Sequence, residues 1–88
     1  MSFALIDVTD TAAAMGYHCP VSVENAIPAV EVAQVLTAAR EAVAYAPIGS
    51  SRIPFHINRF ENGVISAADM VMILGVDQHG RPAATILA

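Results

Sequence analysis

Three histidines, one cysteine and a Gly-Ser-Ser-Arg run are the residues with the widest chemical reach in this chain. His18, His56 and His79 lie too far apart for a local metal motif, and neither Cys-x-x-Cys nor His-x-x-x-His occurs. His18 and Cys19 are adjacent, and neighbours in sequence rarely aim at one ion, so no metal and no other cofactor is expected. Cys19 with a distant histidine would make a nucleophile–base pair. No orienting acid or oxyanion motif accompanies it, and a lone cysteine before a proline reads as a small buried side chain. Gly49-Ser50-Ser51-Arg52 offers backbone amides and a guanidinium to an anion. It lacks the following helix and the lysine of a phosphate-binding loop, and so reads as a plain loop. The expectation is a protein without catalytic residues.

The acidic residues point to a different chemistry. Eight acids stand against four arginines and no lysine, for a net charge of −4. So few cations cannot neutralise a phosphate backbone, and direct nucleic-acid binding is not expected. An acidic face can instead dock on a basic protein surface, including one that normally holds nucleic acid. The candidate partner-binding residues are Glu31, Glu41, Glu61, Asp69 and Asp77. Glu31 and Glu41 fall on the expected exposed side of a helix, where they could meet a partner's arginines. Asp77 also reads as a turn-stabilising side chain.

Composition bounds the setting. The 88 residues suit one domain spanning 1–88, and 56% apolar against 14% charged residues predicts a folded chain. So few surface charges leave apolar surface over for a partner or a second copy. One cysteine excludes an internal disulfide. The first ten residues carry Asp7 and Asp10 and no basic stretch, unlike a signal peptide. Apolar runs such as Met70–Leu74 fall far short of the ~20 residues that cross a bilayer. The expected location is the cytoplasm of a bacterium or phage-infected host, with no membrane contact.

The elements that would position these groups follow from pattern. Phe3–Val8 reads as a strand, Thr9–Thr11 as cap residues, Ala12–Met15 as a short helix and Gly16 as its C′ residue. Val21–Val23 alternates as a short extended segment. Asn25 is a candidate N-cap and Pro28 a first-turn residue for a long helix ending at Ala46. Val32, Val35, Leu36, Ala39 and Val43 recur at three- and four-residue steps, and the thin polar stripe predicts burial on more than one side or contact with a partner. Arg52–Glu61 alternates as a strand, with Pro54 favouring an edge. Asn62-Gly63 signals a turn. Val64-Ile65 leads into Ser66–Asp69 as a short irregular turn. Met70–Val76 reads as a central strand covered on both faces, Asp77–Gly80 as a hairpin loop and Pro82–Leu87 as a closing strand. The fold class is α+β: an antiparallel sheet of three to four strands packed against one long helix, with a short N-terminal helix.

Two patches carry a resemblance. One is Leu5-Ile6-Asp7-Val8-Thr9-Asp10-Thr11-Ala12 continuing to Gly16-Tyr17-His18-Cys19-Pro20-Val21; the other runs from Leu74-Gly75-Val76-Asp77 to Pro82-Ala83-Ala84-Thr85-Ile86-Leu87. Together they resemble an uncharacterised family of small bacterial, plasmid and phage proteins with a "VDVT…G(F/Y)…PV" opening and a "GpgDdgePVITI"-like ending. The middle departs from that family's aromatic-rich helix start, with Glu24-Asn25-Ala26-Ile27-Pro28 in its place. The resemblance implies a mobile-element setting and carries no activity.

The functional expectation is a non-enzymatic protein-binding module of mobile-element origin, of which an anti-CRISPR inhibitor of a host nucleoprotein complex is one form. Its rivals are a small homodimeric accessory or structural protein and a cryptic Cys/His enzyme.

Overall fold

A computed structural model describes residues 4–88; Phe3, read as the start of the first strand, lies outside them. In chain order the elements are β1 (Leu5–Asp7), α1 (Thr9–Ala14), β2 (Val21–Glu24), a 3₁₀ turn (Ala29–Glu31), α2 (Val32–Tyr45), β3 (Arg52–Glu61), β4 (Val64–Val76) and β5 (Pro82–Leu87). The class is α+β.

The strands form one five-stranded sheet in the order β1-β2-β5-β4-β3. Three neighbouring pairs are antiparallel, but β2 and β5 run parallel, with Val21, Ser22 and Val23 opposite Ala84, Thr85 and Ile86. This corrects the expected antiparallel sheet of three to four strands. The parallel pair joins segments some sixty residues apart, and nothing local in Val21–Val23 announces so distant a partner.

The β3–β4 hairpin closes through Asn62 and Gly63, both in the left-handed region at φ 51° and 76°. That pair makes a two-residue primed turn. Glu61 then faces Val64, and the register runs unbroken to Arg52 opposite Ile73. Ser66–Asp69 is therefore strand, not the irregular turn expected from its small residues.

The helices also start differently from the reading. Pro28 is extended, at ψ 141°, and α2 begins only after the 3₁₀ turn, with no side-chain cap from Asn25. Ala46 turns extended ahead of Pro47, as a residue before proline prefers. At α1, the Asp7 carboxylate accepts from the Thr9 amide and hydroxyl, so the anchoring side chain is earlier than the Thr9–Thr11 set.

Both helices cover one face of the sheet. Val21, Val23, Ile53, Ile57, Met70, Met72, Ala84 and Ile86 point into that side and meet Ala12, Ile27, Val35, Leu36 and Ala39. Of α2 only Val35, Leu36 and Ala39 are buried, while Val43 is 39% exposed. Within the chain the helix is covered on one side only, so of the two readings of its thin polar stripe, burial on more than one side does not hold. Two polar contacts lock α1 to α2. The Tyr17 hydroxyl donates to the Leu36 carbonyl at 2.6 Å, and Arg40 Nη1 donates to the Met15 carbonyl at 2.8 Å. Gly16 joins them at φ 94°, where a Cβ would sit 3.0 Å from the Arg40 guanidinium.

Candidate functional site

The buried positions alternate along each strand, and the intervening positions form the sheet's outer face, which no described element covers. Its rows follow from the register. One reads Asp7, Ser22, Thr85, Ile73 and Arg52 across the five strands. The next reads Leu5, Glu24, Leu87, Val71 and Pro54: Val71 faces both Leu87 and Pro54, and Glu24 follows Val23 beside the β5 end. Beyond β5 only the hairpin continues, through His56 opposite Asp69, Asn58 opposite Ala67 and Phe60 opposite Ile65. Phe60 and Ile65 are 72% and 67% exposed. The interior strand β4, expected to be central and covered on both faces, lies next to the β3 edge strand and has one open face, with Val71 and Ile73 only half-buried.

The free edge of β3 is blunted. Ser51 accepts from the Leu74 amide, which makes odd-numbered β3 residues the hydrogen-bonded partners of β4. Even-numbered residues turn their backbone outward. Pro54 is one of them and presents no N–H there, while the outward carbonyl of Asn58 accepts from Gln34 Nε2 at 3.0 Å. Both devices discourage strand addition at that edge.

The five candidate acids do not come together. Glu31 grips Arg59 with both oxygens, at 2.8 Å to Nη2 and 3.0–3.2 Å to Nε, and its hydrogen bonds raise the guanidinium pKa further. Asp77 accepts from the His79 and Arg81 amides at 2.8 and 3.0 Å, inside its own loop. Glu41 is exposed on α2, and Glu61 is exposed at the end of β3 beside the Asn62-Gly63 turn. Asp69 is on the outer face opposite His56. Asp77 and Glu61 flank opposite ends of the 13-residue β4. Of the set, only Asp69 belongs to the open face.

The other chemical groups are equally dispersed. All three histidines are exposed and Cys19 is half-buried. The described residues hold no group of three His, Cys, Asp or Glu side chains placed to bind a metal. In the Gly49–Arg52 loop, Ser50 Oγ donates to the Pro47 carbonyl at 2.7 Å and closes the loop on itself. A hollow of about 330 Å³ opens between β1, β2 and the start of α2, walled by Ile6, Val23, Ile27 and Val32. Thr11 supplies its only polar side chain, too little to orient a small polar ligand.

Compared with known protein families, curated proteins and solved structures, the chain matches none. Sequence reasoning sought a docking surface among the acids and missed the outer face. The available signal was the alternation in β3 together with a β4 whose odd positions Val71 and Ile73 have no helix left to meet, since the single long helix is already used on the even side.

Proposed function

We propose that this chain is a non-enzymatic protein-binding module that docks through the outer face of its sheet and the tip of its β3–β4 hairpin. One observation carries the reading: Val71, Ile73, Leu87, Pro54, Phe60 and Ile65 share a face that no described element covers. The apolar side chains form two exposed groups on this face, one on the five-stranded part and one at the hairpin tip, separated by His56, Asp69 and Asn58, and apolar groups left open on a small domain mark an interaction surface. Arg59, Arg40 and Arg81 are engaged with Glu31, the Met15 carbonyl and Asp77, so the face is not assembled around a cationic cluster.

Site-specific photo-crosslinking tests the reading. A photoreactive residue at Ile65 is expected to yield a discrete protein adduct in cells expressing the chain, while the same group at Glu41 on the helix side yields none. Equal labelling from both positions, or none from Ile65, contradicts it. The narrower form, an anti-CRISPR inhibitor of a host nucleoprotein complex, rests on small size, acidic balance and the two terminal sequence patches. It predicts that expression protects a targeted plasmid from interference, and unprotected plasmids would exclude it.

A further inference from the structure

We propose that the five-stranded part of the outer face binds a second copy of the chain about a two-fold axis along β5, setting Arg52 of each copy against Asp7 of the other. The inference rests on the docking reading above and names the partner.

β5 is the middle strand of five. Turning one sheet over about that strand lays β1 on β3 and β2 on β4 of the other copy. The row Asp7, Ser22, Thr85, Ile73, Arg52 has an acid at one end and a base at the other. Reversed on itself, it sets Asp7 over Arg52 twice, Ser22 over Ile73 twice, and Thr85 over Thr85. The neighbouring row sets Leu5 over Pro54 and Leu87 over Leu87. Of the charged residues only Glu24 meets an apolar partner, Val71, and as the last residue of β2 it lies where its carboxylate can reach the rim.

The charges at the corners can still pair, because both Thr9 donors take Asp7 Oδ1 and leave Oδ2 open. Arg52 is the one arginine with no polar partner among the described residues. Asp7 is exposed, and donation from the Thr9 hydroxyl and then the Thr9 amide holds its carboxyl below the ordinary range, so it is ionised at neutral pH. Stacked sheets stand about 10 Å apart, a gap that an arginine and an aspartate reaching from opposite sides can close.

The overlap is that of a weak dimer. With three residues in β1, four in β2 and six in β5, and strands about 4.8 Å apart, the reversed faces share roughly 300 Å² on each copy, or about 600 Å² in total, a small contact that leans on its two charge pairs. The blunted β3 edge argues against the alternative of edge-to-edge pairing. The hairpin tips, with Phe60 and Ile65, extend beyond the overlap and stay free for another protein.

Light scattering from about 100 µM to about 1 mM chain is expected to give a mass that rises above the 9.2 kDa of the protomer toward twice that value. Thr85→Arg places two cations on the axis and is expected to give a monomer with unchanged circular dichroism. Arg52→Asp is expected to raise the dissociation constant at least about tenfold, and adding Asp7→Arg to it is expected to recover most of that loss. A monomeric wild type at about 1 mM, a dimer indifferent to Thr85→Arg, or a double variant no tighter than Arg52→Asp overturns the proposal. A monomer leaves the Ile65 crosslink to decide the docking reading separately.

Discussion

Tyr17 shows how a single side chain ties the two helices together. Its hydroxyl donates to the Leu36 carbonyl, and burial pushes its pKa up to about 12, an effect partly opposed by the nearby Arg40. The folded state thus holds the phenol proton more tightly than the unfolded chain, whose tyrosines ionise near 10. The resulting stability is complete below about pH 10 and is lost as pH rises toward 12. Urea midpoints measured at about pH 9 and about pH 11 should therefore fall in the wild type more than in Tyr17→Phe, which should itself be about 1 kcal/mol less stable at neutral pH. Gly16 makes a second prediction at this scale. Alanine there must adopt φ 94° and push the Arg40 guanidinium from 3.0 Å, so Gly16→Ala should cost about 1–2 kcal/mol in thermal or urea unfolding. Gly16 was legible in the sequence, because a glycine after an alanine run has one common use. The Glu31–Arg59 pair was not, because it joins the 3₁₀ turn to β3 across 28 positions, and the helix pattern alone placed Glu31 on the solvent side.

At the scale of elements, the parts set by local chemistry were legible and the parts set by distant pairing were not. Asn62-Gly63 and the Asp77 loop were readable because turn residues act on their own backbone: Asp77 accepts from two amides within four residues of itself. The bounds Arg52–Glu61 followed from period-two alternation. Ser66–Asp69 looked irregular because its small polar residues weaken the strand signal, yet pairing with β3 imposes strand geometry on it. The place of β5 between β2 and β4 had no local signature at all. The helix–sheet layer is held by few large residues. Leu36 is fully buried beneath α2, and Leu36→Ala should destabilise by about 3 kcal/mol, seen as a lower urea midpoint with the transition slope retained.

At the scale of the whole molecule, one helical layer covers one side of a sheet whose other side mixes apolar residues with polar ones. The molecule measures 45 × 29 × 29 Å, and the projecting β3–β4 hairpin accounts for a long axis that a closed sandwich of 88 residues would not need. The apolar excess over charge in the composition was the sequence's trace of this open face. Composition cannot say where that excess lies, whereas the acids are visible one by one in the sequence. The central claim is that this chain meets protein, a second copy first, on the outer face. Amide chemical shifts recorded as the chain is concentrated from about 10 µM to about 1 mM test it most directly. The account predicts shifts gathered at Ser22, Thr85, Ile73, Val71 and Arg52, with α2 from Glu41 to Tyr45 unmoved. Shifts gathered on α2, or no change across that range, would contradict it.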